Sequence, residues 1–515
     1  MSKIYSLFLN EITKIIKKVS ILVILILIVV LTLGYGALMK FSLSMIENQS
    51  GQLDTSSYQK DNSDKNLSQL KSDLDGLKQK LASAKEEDKP NIEFQITDIE
   101  NQIKINELAS QKGINLYEDT YLSKTLSAIA QNDTTLSELK KIPAESLTDV
   151  QKKQIETCEK AATTLMSIID NKDFNAYYNY KNDTINSDTT LTEGQKKIHL
   201  EANDLRKKIM LNNPGSKQIS SGIEGMIDRV TSLRLTLLNG IDYLSGTPIM
   251  LTADKATQYK NEAAITTYKL ENNMISNKDI SGMPLDTTYS VVAEGISGIG
   301  IFLVMLLVII LAGGTISSEI STGSIKSLII APVKRYKIYT AKILAIFTVG
   351  VAAILITFGI SVLTNQIMFG EHVVKPFVTA TNGNVYEINY YLYQLAVVFI
   401  NSIKIFIYML FALIISTVTR NTALAVGLSI GLYFCESIVL AIVYQFASGE
   451  WVKFIPFSNF SLKEKIFPST DLAQVAATAS GSYTPSLTFS VVYIIVFVIC
   501  LGYIGYDSFN RRDIK

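Results

Sequence analysis

The stretch Ser20–Met39, SILVILILIVVLTLGYGALM, decides how the chain is organised. It contains no charged residue, and a helix of about 20 apolar residues spans the roughly 30 Å hydrocarbon core of a bilayer. The stretch is longer than the apolar core of a secretory signal, and no small-residue cleavage site follows it in Lys40–Glu47. The sequence therefore predicts a retained transmembrane helix near the N-terminus.

Five further apolar segments are long enough to cross a membrane, which makes six predicted spans. In chain order they cover approximately residues 19–40, 291–316, 338–364, 393–419, 422–446 and 487–506. A bilayer core offers no water to backbone polar groups, so apolar segments of this length cross it as helices. We therefore predict an all-α integral membrane protein with six transmembrane helices.

Four regions follow from this pattern. Residues 1–18 predict a cytoplasmic amphipathic helix in the headgroup plane, since apolar residues recur at helical spacing from Ile4 to Ile15; an alternative is that the segment simply extends the first span. The first span occupies residues 19–41, and residues 42–290 form a polar insert predicted to be an extracytoplasmic, mainly helical domain. Residues 291–515 form a five-helix transmembrane domain.

Charge separates the insert from the rest of the chain. Residues 42–290 carry 29 Lys and Arg against 36 Asp and Glu, whereas the remainder carries 19 against 11. The basic residues flank apolar spans, which suits contact with anionic lipid and argues against nucleic-acid binding. Only Cys158 lies in the insert, so this domain has no internal disulfide.

The distribution of Lys and Arg predicts the orientation of the spans. With the N-terminus inside, short cytoplasmic segments carry twelve Lys and Arg, and the two short outer loops carry four. Because basic residues are enriched on the cytoplasmic side, we expect both termini to be cytoplasmic and residues 42–290 to be extracytoplasmic. The predicted location is the cell membrane.

A leucine repeat predicts a coiled-coil-like hairpin in the insert. Apolar residues recur three and four apart from Leu67 to Leu81 and again from Ile92 to Ile103, on either side of a charged break that contains Pro90.

We interpret the Tyr-rich segment Phe174–Tyr180 as a loop that packs a helix junction or, less simply, contacts a ligand. Asn382–Gly383 between short β-prone runs predicts a small β-hairpin.

The loop at residues 317–337, between the second and third spans, is the most informative segment. It combines an apolar helical face after Gly323, a stop at Pro332 and a basic cluster that begins at Lys334. This pattern resembles the cytoplasmic loop of the type-2 ABC transporter permease family. The residues that carry the resemblance are Glu319, Thr322, Gly323, Pro332, Val333, Arg335 and Lys342.

The resemblance implies that this loop contains a coupling helix that docks on an ATP-binding subunit. The candidate partner-coupling residues are Glu319, Thr322, Gly323, Lys326, Pro332 and Arg335. A large insert after the first span is similar to a branch with sodium-extruding and antimicrobial-peptide-handling permeases. The alternative is a basic membrane anchor without a partner.

Two charged residues lie inside predicted spans. Lys404 stands sixteen residues before Arg420 and Glu436 sixteen after it, so a tight turn at Arg420–Asn421 would bring the two to one height. Buried charges in a membrane are costly and usually face a partner or a cavity. We predict an intramembrane charge pair, Lys404 and Glu436; the alternative is that each reaches the outer headgroups separately.

These features favour the permease subunit of an ATP-driven ABC exporter. The sequence lacks the Gly-x-x-x-x-Gly-Lys-Ser/Thr motif, so ATP is expected on a partner subunit, and no catalytic, cofactor-binding or metal-binding residues are predicted. Expected partners are that subunit, a second permease copy or a paralogue, and membrane lipid. The alternative is an ATPase-independent cell-surface receptor or secretion scaffold; a membrane enzyme is disfavoured.

Overall fold

The computed structural model describes the chain in ten segments that form two compact units. The described residues are 2–52, 55–116, 120–213, 219–244, 248–280, 283–324, 333–370, 373–446, 450–467 and 485–511. The membrane unit comprises Met1–Ser44, Ile241–Ile265 and Leu285–Lys515. The insert unit comprises Met45–Gly240 and Thr266–Pro284.

The described residues are mainly helical. The helices are α1 Ser2–Ile16, α2 Val19–Gln52, α3 Thr55–Ser83, α4 Lys89–Lys112, α5 Thr120–Lys140, α6 Asp149–Asn171, α7 Phe174–Ser187, α8 Glu193–Asn212, α9 Ser221–Asn239, α10 Ala253–Glu271, α11 Leu285–Ser321, α12 Arg335–Phe369, α13 Tyr390–Thr419, α14 Thr422–Phe446, α15 Leu462–Ile466 and α16 Leu487–Arg511. Short strands pair antiparallel in sequence order: β1 Ile241–Asp242 with β2 Ile249–Met250, β3 Asp279–Ile280 with β4 Met283–Pro284, and β5 Phe377–Thr381 with β6 Asn384–Ile388.

Six helices are long and apolar enough to cross a membrane, which confirms the predicted number of spans. They cover Ile21–Ile46, Leu285–Ser321, Arg335–Phe369, Tyr390–Thr419, Thr422–Val443 and Leu487–Arg511. Helix α11 is at the centre of the membrane unit and packs against α12, α13 and α14. With 37 residues it is about 55 Å long, well beyond the hydrocarbon thickness, so it tilts or projects from the bilayer.

The insert unit contains the predicted helical hairpin. Helices α3 and α4 pack together and are bridged by Lys71–Glu107 at 2.8 Å and Lys78–Glu100 at 2.9 Å. Pro90 lies in the first turn of α4, where backbone N–H groups have no partner within the helix, so its missing N–H breaks no hydrogen bond. The helix therefore begins before Pro90, and the break between α3 and α4 is shorter than predicted. Supercoiling of the pair stays a prediction.

The Tyr-rich segment Phe174–Tyr180 is helical, so its prediction as a loop was wrong. Asp173 explains the difference, because its carboxylate accepts hydrogen bonds from the backbone N–H groups of Asn175 at 2.8 Å and Ala176 at 3.1 Å. Such a cap satisfies donors that the first turn leaves unpaired. Tyr177 and Tyr178 are buried, and burial raises the pKa of Tyr177 to about 12.

The predicted β-hairpin is confirmed in the membrane unit. Asn382 and Gly383 join β5 to β6 with φ of 52° and 86°, as a two-residue turn of the favoured hand requires. The N–H of Gly383 donates to the amide oxygen of Asn261 at 2.7 Å. This contact connects the turn to α10. We call this side of the membrane unit the hairpin end, and the opposite side, which carries α1, the α1 end.

Two ion pairs at the hairpin end connect α11 to a loop and to the short helix α15. Lys375 lies 3.2 Å from Asp286, and Lys463 lies 2.5 Å from Glu294. The hydroxyl of Tyr393 also contacts Glu294, at 3.2 Å. The two acidic residues in the first ten residues of α11 are therefore neutralised by lysines from the segments that precede α13 and α16.

The predicted orientation can be tested with single cysteines. In a variant whose native Cys158, Cys435 and Cys500 are replaced by Ala, Val150→Cys in the insert should react with a membrane-impermeant maleimide in intact cells. Lys334→Cys should react only after lysis. Both positions are exposed, so their labelling reports sidedness and not burial. The reverse labelling pattern would exclude the orientation derived from the basic residues.

Candidate functional site

Helix α1 presents one acidic side chain on the face that packs against the rest of the membrane unit. Leu7, Glu11 and Ile15 are four residues apart and share that face, which lies against α12. Glu11 is 6% exposed. An acidic residue in this position needs a cationic partner, because an unpaired buried carboxylate is costly.

That partner is Lys342 in the second turn of α12. Its side chain is fully buried, with Nζ 3.1 Å from Oε2 of Glu11 and 2.8 Å from Oε2 of Glu319. The contact with Glu11 is an aligned hydrogen bond, whereas the contact with Glu319 is a charge contact without hydrogen-bond alignment. One buried ammonium group thus lies between carboxylates from α1 and α11.

Lys14 completes this cluster of two lysines and two glutamates, which we call the four-charge cluster. Its Nζ lies 3.1 Å from Glu11 and 3.3 Å from Glu319. Partial burial alone would lower the pKa of Lys14, but the two carboxylates outweigh that effect and raise it. With both lysines protonated and both carboxylates ionised, the cluster is electrically neutral.

The cluster connects α1, the end of α11 and the beginning of α12. The predicted docking loop at residues 317–337 begins within the end of α11 and ends within the start of α12. Both helices therefore share one buried cation. Removing one member of a buried ion pair leaves the other uncompensated, which typically costs about 3–5 kcal/mol. The arrangement resists separation of these helices.

The structure places the described docking candidates as follows. Glu319 belongs to the four-charge cluster. Thr322 donates its hydroxyl hydrogen bond to the carbonyl of Ser318 at 2.8 Å, and Gly323 has a φ of +72°, a left-handed conformation that glycine adopts readily. Arg335 donates to the carbonyl of Asn510 at 3.3 Å. Lys326 and Pro332 lie outside the described residues.

A hydroxyl junction connects the same end of α11 to α13 and α14. Ser416 donates to the carbonyl of Gly313 at 2.7 Å, and the hydroxyls of Ser317 and Thr422 are 2.7 Å apart. A side chain at Gly313 would meet Val426 at 2.8 Å, so glycine allows α14 to approach α11 closely. Displacement of this end of α11 would therefore act on two neighbouring helices, α13 and α14.

The two charges predicted to pair inside the membrane are in contact. Nζ of Lys404 lies 2.7 Å from Oε1 of Glu436, and the hydroxyl of Tyr408 donates to Oε2 of Glu436 at 2.9 Å. The turn at Arg420–Asn421 separates α13 from α14, as predicted, with Arg420 at a φ of 55°. Lys404 lies halfway along α13. Energetic coupling of the pair stays a prediction.

Two residues of these clusters were missed by the sequence analysis. Glu11 interrupts an otherwise apolar helical face, and that interruption was the available signal. Tyr408 stands one turn after Lys404, a spacing that indicated a shared face. In the part of the chain that the structure describes, no group of three or more His, Cys, Asp or Glu could hold a metal ion.

Loss of the buried cation should destabilise the membrane unit. Lys342→Met should lower the free energy of unfolding in detergent by about 3–5 kcal/mol, because Glu11 and Glu319 would then share only Lys14. Lys337→Met, in the same helix but outside the cluster, is the matched control. Denaturant unfolding followed by circular dichroism measures both. Equal effects of the two substitutions would contradict a stabilising role for the cluster.

A double-mutant cycle tests the coupling of Lys404 and Glu436. Each single change, Lys404→Met or Glu436→Gln, should be destabilising by about 2.5–3.5 kcal/mol, the cost of one uncompensated charge at the centre of a span. The double variant should recover much of this loss, because both charges are gone. Thermal unfolding of the detergent-purified protein provides the measurement. Additive effects would show that the two residues act independently.

Comparisons with known proteins agree with this architecture. The family model described as ABC-2 family transporter protein matches residues 5–514. The Bacillus subtilis (strain 168) protein YhcI, described as uncharacterized, is 28% identical over 260 residues, covering 50% of this chain and 76% of YhcI. The uncharacterized membrane protein YdbK of the same organism is 25% identical over 214 residues, covering 41% and 78%. No solved structure matches. The match over nearly the whole chain shows that it belongs to the ABC-2 family of transporter permeases.

Proposed function

We propose that the chain is the membrane subunit of an ATP-driven exporter, with ATP hydrolysed on a separate subunit. Membership of the ABC-2 family supports the transport role. The observation that carries the coupling proposal is the buried contact of Lys342 with Glu11 and Glu319, since it joins the helices on both sides of residues 317–337. ATP would be bound by the partner, because this sequence has no phosphate-binding loop of its own.

In this proposal the docking loop transmits movement of the partner to the membrane helices. A displacement at Gly323 would reach Glu319 one turn earlier, and Lys342 would carry it to α12 and α1. The hydroxyl junction at Ser317 would carry it to α13 and α14. Such coupling requires helices that move together, and the buried ion pairs would hold α1, α11 and α12 together in this way.

A second permease copy or a paralogue would complete the membrane assembly. Only 11% of the most apolar stretch of α14 is buried within this chain, against 61% for α11. This is consistent with a protein surface that packs against another membrane subunit. Lys17 and Lys18, both exposed between α1 and α2, suit the anionic headgroups of membrane lipid.

Photo-crosslinking tests the docking surface directly. p-Benzoylphenylalanine at the exposed position Ser324 should crosslink to a protein that contains a nucleotide-binding Gly-x-x-x-x-Gly-Lys-Ser/Thr loop. The same probe at Tyr386, in the β-hairpin, is the control and should give no such product. Products are identified by mass spectrometry of the purified complex. Absence of the product at Ser324 in cells that express the ATP-binding subunit would favour the receptor or scaffold alternative.

The backbone at Gly323 offers a second test of the same proposal. Gly323→Val forces a β-branched residue into a left-handed conformation, whereas Gly323→Asn is far better tolerated there. A side chain at this position would meet no atom within 4 Å, so the effect is one of backbone strain. We expect about tenfold less ATP-binding subunit to co-purify with the Val variant, from a strain of about 1–2 kcal/mol. If equal amounts of the ATP-binding subunit co-purify with both variants, the docking site lies elsewhere.

A further inference from the structure

The insert unit contains a cavity of about 170 Å³ between α8, α9 and the last turns of α10. Four buried apolar side chains form its floor: Ala202, Leu205, Ile227 and Val230. An apolar cavity of about 150 Å³ is large enough to take a benzene molecule. The cavity thus has room for a ligand with an apolar body of about one six-membered ring.

The rim of the cavity carries charged side chains from all three helices. Arg234 donates to Glu201 at 2.6 Å and to the hydroxyl of Thr267 at 3.0 Å. Lys208 lies 3.7 Å from Glu271. These contacts neutralise both cations of the rim and two of its three carboxylates.

The third carboxylate, Asp204, forms no ion pair or hydrogen bond within the described part of the chain. It is exposed, and it stands in α8 one turn after Glu201 and one turn before Lys208. The cavity therefore combines an apolar floor with one uncompensated negative charge at its mouth. A binding site of this type is complementary to a ligand with one positive charge and an apolar body.

We propose that this cavity binds a small organic monocation, in which a protonated amine contacts Asp204 and an apolar group of about one ring lies on the floor. A metal ion would not suit the site, because its floor is hydrocarbon and only one carboxylate is uncompensated. An anionic ligand would be repelled by the net charge of the rim.

Three fluorinated probes of similar size distinguish the effect of ligand charge on binding from the effect of ligand shape. 4-Fluorobenzylamine is protonated at neutral pH, 4-fluorobenzyl alcohol is neutral and 4-fluorobenzoate is anionic. Binding to the full chain in detergent is measured by ¹⁹F NMR, with empty micelles as the reference for partitioning. We expect the amine to bind about tenfold more tightly than the alcohol, since a charged hydrogen bond is gained. The benzoate should not bind.

Variants locate the site. Asp204→Asn should reduce binding of the amine about tenfold and leave binding of the alcohol unchanged. Thr231→Phe, at the half-buried rim, should fill the cavity and abolish binding of both. Asp149→Asn is the matched control, because Asp149 is a fully exposed acid of α6 in the same unit. Circular dichroism checks that each variant is folded.

Several outcomes would overturn the proposal. These are equal affinity of the amine and the alcohol for the unmodified chain, unchanged amine binding by Asp204→Asn, and no binding of any probe at millimolar concentration. If Thr231→Phe binds the amine normally, the probe occupies another site and the assignment to this cavity is wrong.

Discussion

Neutralising the charge of Lys342 is the constraint on which the α1 end of the membrane unit is built. A fully buried ammonium group is tolerable only beside carboxylates, and these come from two different helices, Glu11 of α1 and Glu319 of α11. The amphipathic helix α1 is consequently more than a lipid anchor, because one of its side chains completes the environment of a residue in α12. Disrupting any one of the three helices exposes the charges of the other two.

The same rule applies to two other buried carboxylates of the membrane unit. Glu436 is neutralised by Lys404 and hydrogen-bonded by Tyr408, and Asp286 is neutralised by Lys375. Each of these pairs joins separate helices or a helix and a loop. In a low-dielectric environment such contacts specify which elements must be neighbours, because a misplaced helix would leave a charge without compensation.

Much of the fold could be predicted because it rests on local patterns. The six spans follow from apolar length, the β5–β6 turn from Asn382–Gly383, and the contact of Lys404 with Glu436 from equal spacing about a tight turn. The partner of Lys342 could not be derived in this way, since Glu11 is 331 residues away. The cavity near Asp204 could not be predicted either, because it depends on how the side chains of three consecutive helices, α8, α9 and α10, pack together, and no local pattern gives that packing. Helix α7 was missed since its Asn and Tyr residues are weak helix formers and the cap at Asp173 decides the outcome.

Helix α11 has a mechanical consequence that follows from its length and its end contacts. It is one helix of 37 residues without a proline, paired through Asp286 and Glu294 within its first ten residues and through Glu319 near its last residue. An α-helix is stiff along its axis, since each turn is closed by backbone hydrogen bonds. A displacement of Glu319 by 1.5 Å along the helix axis, the rise of one residue, would therefore move Asp286, about 50 Å away, by nearly the same distance. Asp286 would then shift relative to Lys375, so the loop that contains Lys375 is the first element at the hairpin end that such a displacement would reach.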